Sequence, residues 1–317
     1  MDLTLRPMST SQVLDRAFSL YRQNFILFAG IAALPPAMLL VVQAFALFFG
    51  LASPRVTGLN TTAMIAALVV FGIGFFLLYL LGYSLATGAT IYAVSQVHLG
   101  KTSTIGETYG NIRRFTGKIL LIVILLFIIF IVTFMLSYLA GIVPLVIAAM
   151  IGSIAGSVVK IVAFVLGTLA LIACVIAGML FYCRFGLSIP ACVLEKLGPI
   201  NSIQRSWSLA KGSAARILLI YFLTGVIAIV LSLVLSIPNY IAIGMTAGKP
   251  PLPFQIWGIV ASFLAGTIAG PIGTIAISLV YYDQRVRKEA FDLQLMMEAM
   301  GQPIQPQVAA AASPNIG

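Results

Sequence analysis

Charged residues are scarce in this sequence, at 8% of its 317 positions, and only eight residues are acidic. Hydrophobic residues make up 61% of the chain, a composition that excludes both an ordinary soluble domain and a disordered chain. No polar stretch is longer than roughly 35 residues, which is too short to form an independent soluble domain. The composition therefore leaves an integral membrane protein as the class to examine.

Histidine and cysteine are also rare, since the chain has one histidine, His98, and three cysteines, Cys174, Cys183 and Cys192. A helix turns about 100° per residue, so the nine-residue spacings direct Cys183 away from the other two cysteines. We expect all three to be small buried side chains. Neither a metal site nor a Ser–His–Asp set can be assembled around one unsupported histidine. We therefore expect no catalytic residue, no metal and no cofactor.

Six long apolar runs are present, and each exceeds the roughly 20 residues that a helix needs to cross a bilayer. Prolines in five of these runs predict kinks. The third and fourth runs are separated only by a turn of small residues at Gly152–Ser157. The pattern predicts an all-α integral membrane protein with six transmembrane helices, over residues 25–52, 62–97, 118–151, 158–194, 215–245 and 255–282.

Nearly all the charges lie between these runs, in four polar segments around residues 2–24, 98–118, 195–216 and 283–298. These segments contain all eight acids and fourteen of the eighteen Lys and Arg residues. The opposite ends of the runs carry only Arg55, Lys160 and Lys249. The excess of basic residues on one side places both termini in the cytoplasm, which agrees with an even number of spans.

Three of the polar segments resemble one another. Val13–Asn24 aligns with Ser202–Ser213 at a shift of 189 residues, and Ser103–Lys118 is a weaker copy. We therefore expect one membrane domain over residues 1–300, built from three repeats of an amphipathic helix and two spans. The repeats cover approximately residues 9–97, 102–194 and 198–283, followed by an amphipathic helix over 283–300 and a disordered tail over 301–317.

The polar segments show helical periodicity, with apolar residues on one face and basic residues on the other. This pattern is typical of interfacial helices that lie in the headgroup plane and direct cations toward anionic lipid. Cations interleaved with apolar residues suit headgroups better than a duplex, so we expect no nucleic-acid partner. The residues predicted to face lipid headgroups are Arg16, Arg22, Arg113, Arg114, Arg205 and Lys211.

Three further charges form a predicted intramembrane or interfacial polar site. Arg184 lies eleven residues before Glu195, well inside the fourth apolar run, where an arginine is costly and often functional. It either anchors the helix by reaching a carbonyl freed by Pro190, or it belongs to a polar cavity. Glu195 and Asp283 end the fourth and sixth runs. They either neutralise neighbouring cations or face the basic helices and bind a cation between repeats.

The segments RPMSTSQVLDRAFSLYRQNF, EKLGPINSIQRSWSLAKGSAARILL and YYDQRVRKEAFDLQL resemble a bacterial family called glycerophosphoryl diester phosphodiesterase membrane domain proteins. The resemblance covers most of residues 5–295 and implies a multi-pass protein of the bacterial inner membrane. In that family, catalysis belongs to a separate soluble barrel with histidines and metal-binding carboxylates. None of those residues has a counterpart here, so the resemblance implies no activity for this chain.

Two functions remain open at this point. The first is a non-enzymatic membrane protein whose basic interfacial helices engage anionic phospholipid or support a membrane-protein partner. The alternative is a transporter or lipid-handling permease with a polar site near Arg184. A membrane-embedded enzyme would need a converging nucleophile, base or metal set, which the sequence does not offer. The oligomeric state is not determined by these patterns.

Overall fold

The computed structural model describes residues 8–52, 61–98, 100–154, 157–246 and 250–289. These residues form eleven α-helices and no β-strand. In chain order the helices are α1 (Thr10–Gln23), α2 (Phe25–Ala32), α3 (Leu34–Ala52), α4 (Thr61–His98), α5 (Ile105–Ile112), α6 (Thr116–Ile154), α7 (Ser157–Cys183), α8 (Ser188–Glu195), α9 (Pro199–Ala210), α10 (Ala214–Met245) and α11 (Leu252–Glu289).

The long helices are apolar enough to cross a membrane. Five stretches meet this requirement by length and composition, namely α4, α6, α7 with α8, α10 and α11. The pair α2 and α3, bent by 48°, makes a sixth stretch if it is counted as one span. The described chain is therefore all-α, with five or six long apolar helices, as expected for a multi-pass membrane protein.

Helix α11 lies at the centre of the bundle and packs against α1, α2, α3, α4, α8, α9 and α10. Its most apolar window is 56% buried, whereas no other long helix exceeds 22%. Small residues permit this close packing, because Ala261, Ala265 and Ala269 are buried on it. At Gly266, an added Cβ would lie 2.9 Å from the ring of Pro36 on α3. Small side chains thus let neighbouring helices approach α11 closely.

Helices α6 and α7 form a long antiparallel pair at the side of this bundle. Gly141 on α6 is so close to α7 that an added Cβ would lie 2.7 Å from the Cα of Leu171. The outer face of α6 carries Ile128, Val132 and Leu136, which are 50%, 51% and 62% exposed. Such a continuous apolar surface is stable in contact with lipid rather than water.

Prolines mark the places where the long helices depart from regular geometry. Pro35 follows the bend between α2 and α3, and Pro190 lies in α8, just after the turn Arg184–Leu187 that separates it from α7. Pro144, Pro238 and Pro271 lie inside α6, α10 and α11. The first and fourth apolar runs, predicted as continuous helices, are therefore each divided in two.

The end of α11 differs from the sequence prediction. We expected the last span to stop at residue 282 and a separate amphipathic helix to begin at Asp283. Instead α11 continues without a break to Glu289. The charged last turns continue the helix because Asp283, Arg287 and Glu289 all form ion pairs within α11 or with neighbouring helices. Residues 290–317, which include the predicted disordered tail, lie outside the described residues.

The short helices begin at clear capping signals. Ser9 caps α1 by accepting a hydrogen bond from the backbone N–H of Gln12, whose side chain in turn accepts one from the N–H of Ser9. Helix α9 begins at Pro199, a favoured first position. Its buried face carries Ser202, Ser206, Leu209 and Ala210, and Ile203 and Trp207 pack partly buried against the same core.

Each of the short helices α1, α5 and α9 donates a side-chain hydroxyl to a carbonyl near a proline or a helix break. Tyr109 on α5 bonds the carbonyl of Ile31 at 2.7 Å, which Pro35 leaves without an intrahelical donor. Tyr21 on α1 bonds the carbonyl of Ile268 at 2.8 Å, three residues before Pro271 on α11. Burial raises the pKa of Tyr21 and Tyr109 to about 12, so both hydroxyls remain protonated donors.

Helix α9 supplies the third of these bonds. The hydroxyl of Ser206 donates to the carbonyl of Arg184 at 2.7 Å and accepts a hydrogen bond from the N–H of Leu187 at 3.1 Å. Both backbone groups belong to the turn between α7 and α8. Because an unpaired backbone group is expensive away from water, these hydroxyls stabilise the breaks and fix the short helices to the bundle.

We predict that Tyr109→Phe lowers the free energy of unfolding by about 1–2 kcal/mol, because the carbonyl of Ile31 loses its donor. Denaturant titration of the full-length protein in detergent micelles measures this change. Tyr138→Phe is the matched control, since Tyr138 is 46% exposed and its hydroxyl has no partner among the described residues. An equal loss in both variants would show that the bond to Ile31 contributes nothing.

Candidate functional site

A network of charges joins α8, α9 and α11 at one end of the bundle. The guanidinium of Arg205 lies 3.0 Å from Glu195 and 2.5 Å from Glu289. Arg285 approaches Glu289 at 3.3 Å and Glu195 at 3.6 Å, and the hydroxyl of Tyr281 donates to Glu195. Burial opposes the charge on Arg205, but its hydrogen bonds to Glu289 and Glu195 outweigh this effect and raise its pKa.

A second network surrounds Asp283, whose side chain is fully buried. Its carboxylate accepts hydrogen bonds from Arg216 at 2.5 Å, from Arg287 at 2.8 Å and from the backbone N–H of Met8 at 2.6 Å. Both arginines also donate to the carbonyl of Met8, at 2.8 Å and 2.7 Å. The network therefore joins the residue before α1 to the start of α10 and the end of α11.

Lys288 adds a third connection at the same end of α11. Its ammonium group donates to the carbonyls of Ser208 and Lys211, at 3.0 Å and 2.7 Å. These carbonyls are at the C-terminus of α9, where a cation also complements the helix dipole. The last turns of α11 thus hold α1, α8, α9 and α10 together. His98, at the end of α4, lies nearby with its ring 5.3 Å from that of Tyr282.

Apart from Lys288, which donates to two carbonyls, the cations at this end of the bundle fall into two groups. Arg205, Arg216, Arg285 and Arg287 are held in the ion-pair networks. The second group is exposed, and none of its members pairs with an acid among the described residues. It consists of Arg16, Arg22, Lys101, Arg113, Arg114, Lys118, Lys196 and Lys211.

Five of the six residues predicted to face lipid headgroups belong to this exposed group, and we call Arg16, Arg22, Arg113 and Arg114 the arginine surface. The sixth, Arg205, is instead committed to Glu195 and Glu289. The two acids predicted at the ends of spans, Glu195 and Asp283, are both partners of arginines. The structure thus brings Arg205 and Glu195 together, while Asp283 belongs to the separate network around Met8.

Arg184 lies in the turn after α7, and not inside a continuous helix as the sequence suggested. Its guanidinium carbon is 4.6 Å from the ring centroid of Trp207, within the range of a cation–π interaction. Phe181 and Phe185 pack against the same ring, at 5.5 Å and 5.4 Å. Rather than reaching a freed carbonyl, Arg184 therefore stacks on α9.

Among the described residues, a cavity of about 600 Å³ lies between α4, α6, α7 and α10. Its walls are mainly apolar and include Phe127 and Phe130, and four tyrosines from three different helices, Tyr79, Tyr83, Tyr182 and Tyr221. We call it the tyrosine cavity. Gly178 lines it where α7 meets Ser137 of α6. Arg184 is not part of its wall, although its neighbours Cys183 and Gly186 are.

A smaller cavity, of about 240 Å³, lies between α3, α4 and α11. We call it the proline cavity, because Pro35, Pro36 and Pro271 line it. Its polar side chains are uncharged and include Gln43 and Ser262, whose hydroxyl donates to Gln43 at 3.1 Å. Tyr79 and Tyr83 line both cavities, and Arg184 lines neither.

Among the described residues, no three His, Cys, Asp or Glu side chains come together in an arrangement that holds a metal ion. Both ring nitrogens of His98 are buried and make no hydrogen bond to any described residue. The three cysteines are unpaired; Cys183 and Cys192 are buried as expected, whereas Cys174, also expected to be buried, is only partly so. The absence of a metal or cofactor therefore stays a prediction from the sequence.

The sequence reasoning missed two parts of this arrangement. Arg216 and Arg287 were counted only as cytoplasmic charges, although they surround Asp283. The tyrosines of the larger cavity were not singled out at all. One signal was available, because Tyr83, Tyr182 and Tyr221 lie inside apolar runs, whereas membrane proteins usually place tyrosine at the interface.

We predict that Asp283→Asn destabilises the protein by about 3–5 kcal/mol, because Arg216 and Arg287 would be left without their acid. The midpoint of thermal unfolding in detergent micelles measures the loss. Asp15→Asn is the control, since Asp15 is exposed and has no ion pair among the described residues. Adding Arg216→Met to Asp283→Asn should recover part of the stability, and the absence of any recovery would contradict the assigned pairing.

Comparison with known proteins assigns the chain to a family but indicates no activity. No curated protein and no solved structure matches the chain significantly. The resemblance to the glycerophosphoryl diester phosphodiesterase membrane family therefore remains a prediction. One family model, described as a domain of unknown function (DUF7847), matches residues 8–284. Because this match covers most of the sequence, the chain belongs to the DUF7847 family.

Proposed function

We propose that this protein is a non-enzymatic, multi-pass protein of the bacterial inner membrane that binds anionic phospholipid through the arginine surface. In this proposal α2 with α3, α4, α6, α7 with α8, α10 and α11 are six spans, and both termini are cytoplasmic. The same surface can support a membrane-protein partner. The observation that carries the proposal is the division of the cations into a paired group and an exposed group at one end of the bundle.

The three-repeat arrangement is supported by the order of the helices and by the hydroxyl bonds at the breaks. Each proposed unit begins with a short helix, α1, α5 or α9, and continues with two spans. Tyr109 of the second unit bonds the break in the first unit, and Ser206 of the third unit bonds the break in the second. Tyr21 of the first unit bonds the third unit beside Pro271. These three hydrogen bonds therefore connect the three units in a closed cycle.

The charge distribution supports lipid as the partner. Arginines that are already paired have little to gain from a phosphate, whereas the exposed cations remain available. Arg16 and Arg22 are carried by α1, while Arg113 and Arg114 directly follow α5. All four therefore lie at the end of the bundle where the basic segments meet. A cation near an anionic membrane surface contributes about 1 kcal/mol, so four such residues together produce a clear preference for anionic lipid.

The alternative is a transporter or lipid-handling permease, and one observation favours it. The proline cavity lies where the bend between α2 and α3 faces Pro271 of α11, and interrupted helices often flank substrate sites in transporters. Its polar groups, including Gln43 and Ser262, would form the site. This version differs from the site near Arg184 suggested by the sequence, since Arg184 lines neither cavity.

We predict that substituting all four residues of the arginine surface by glutamine weakens binding of phosphatidylglycerol at least about tenfold, because four charges that each contribute about 1 kcal/mol are removed. Native mass spectrometry of the full-length protein with phosphatidylglycerol or phosphatidylcholine measures the affinities. The matched control, Asp15→Asn with Glu107→Gln, removes exposed charges of the opposite sign and should not weaken binding. Equal affinity of the unmodified protein for both lipids would refute the proposal.

The topology is tested by thiol labelling of single cysteines after Cys174, Cys183 and Cys192 are replaced by alanine. Cysteines at Ser53 and Thr246 should react with a membrane-impermeant reagent in intact cells, whereas a cysteine at Thr102 should react only after lysis. Labelling of Ser53 and Thr246 from opposite sides would rule out six spans. A cysteine at Thr87, which lines the proline cavity, tests the permease, because that alternative fails if the site is inaccessible from both sides.

A further inference from the structure

The tyrosine cavity can be reached from the side of the bundle. Its volume of about 600 Å³ lies within the range of roughly 300–1,000 Å³ that is usual for ligand sites. Phe76, Phe127 and Phe130 line it and are also 38%, 39% and 44% exposed on the apolar outer surface. A ligand dissolved in the membrane would therefore enter between these rings without passing through water.

The cavity is elongated along the bundle. On α6 its wall extends from Val123 to Ser137, which corresponds to about 21 Å at the rise of an α-helix. A wall of this length suits an extended hydrocarbon chain better than a short, compact molecule.

The two ends of the cavity differ in polarity. Tyr221 lies seven residues, about 10 Å, from the start of α10 at the charged end of the bundle, and Tyr83 and Tyr182 also lie toward that end. Farther from that end the cavity is lined by Phe76, Phe134 and aliphatic side chains, with the hydroxyls of Tyr79, Thr133 and Ser137 as polar exceptions. The cavity therefore favours an amphiphile whose polar part points toward the charged end.

The tyrosines at the charged end have hydroxyls without a partner. Tyr21, Tyr109 and Tyr281 all donate to an oxygen of the protein. In contrast, none of Tyr83, Tyr182 and Tyr221 makes a hydrogen bond to a described residue. A phenol in apolar surroundings is costly without an acceptor. Three such donors directed at one cavity indicate a ligand that carries an acceptor oxygen between its polar and apolar parts.

We propose that the tyrosine cavity binds one acyl chain of a membrane glycerolipid. The ester oxygens of the lipid accept hydrogen bonds from the hydroxyls of Tyr83, Tyr182 and Tyr221, and the chain lies along Phe127 and Phe130 toward the part of the cavity farther from the charged end. The headgroup points to the charged end of the bundle. This site is separate from the arginine surface and does not depend on the sign of the headgroup charge.

The test uses the full-length protein in liposomes that contain phosphatidylethanolamine with a photoreactive diazirine near the end of one acyl chain. Cross-linked peptides are located by mass spectrometry. Cross-links should concentrate on the deep wall of the cavity, over residues 130–137 and 175–179. Because this lipid is zwitterionic, the result is independent of whether the arginine surface prefers anionic lipid, so the two proposals fail separately.

Two variants distinguish a hydrogen-bonded chain from general contact with lipid. Replacing Tyr83, Tyr182 and Tyr221 together by phenylalanine should lower the cross-linking of these segments at least about fivefold, since three hydrogen bonds of about 1 kcal/mol are lost. The matched control replaces Tyr138 and Tyr240, which are exposed and line neither cavity, and should leave the yield unchanged. Met179→Trp, which fills the cavity without removing a hydroxyl, should also reduce the yield.

The proposal would be overturned if cross-links spread evenly to other exposed apolar positions, such as Phe71 on α4 and Phe222 on α10, and if neither variant changed the yield. It would equally fail if a ring compound such as a quinone copurified with the protein and was displaced by Met179→Trp while the lipid cross-links stayed constant. The first result means ordinary lipid contact, and the second assigns the cavity to a different ligand.

Discussion

The hydrocarbon core of a membrane contains no water to satisfy a backbone carbonyl that has lost its donor, and the rest of this structure depends on that constraint. Helices α5 and α9 meet it by placing the hydroxyls of Tyr109 and Ser206 at the breaks in two long helices, and α1 bonds α11 near Pro271 through Tyr21. The short helices are therefore parts of the fold as well as amphipathic segments. Their apolar faces hold them to the bundle, while α1 keeps Arg16 and Arg22 exposed.

The same reasoning explains the charges around α11. Its final turns carry a buried carboxylate, Asp283, which is tolerable only because Arg216, Arg287 and the N–H of Met8 all donate to it. Glu195 is similarly satisfied by Arg205 and Tyr281. The ion pairs of the bundle therefore engage Arg205, Arg216, Arg285 and Arg287. Consequently the exposed cations lie on α1, next to α5 and α9 and in the connecting segments, and it is these residues that can act on a membrane surface or a partner.

The sequence was sufficient to predict the class and most of the long helices, because hydropathy sums the transfer free energy of each side chain. It did not reveal that α7 ends at Cys183 or that α11 continues to Glu289. Both outcomes depend on partners distant in sequence, namely Ser206 for the turn after α7 and Arg205 for Glu289. The amino-acid sequence shows where a charge or a helix break costs free energy in the membrane, but it does not show which distant residue bonds to it.

Among the residues that the sequence reasoning overlooked, the cavity tyrosines are those whose hydroxyls the fold does not satisfy. The carboxylates of Asp283 and Glu195 and the carbonyl of Ile31 all accept hydrogen bonds from other residues of the protein. A structural role therefore explains these three groups. Tyr83, Tyr182 and Tyr221 are different, because each could be phenylalanine without loss of any hydrogen bond to the described residues. A polar group in apolar surroundings that contributes nothing to the fold indicates a functional site. By this criterion the tyrosine cavity is a stronger candidate for a binding site than Arg184, whose charge already has an aromatic partner in Trp207.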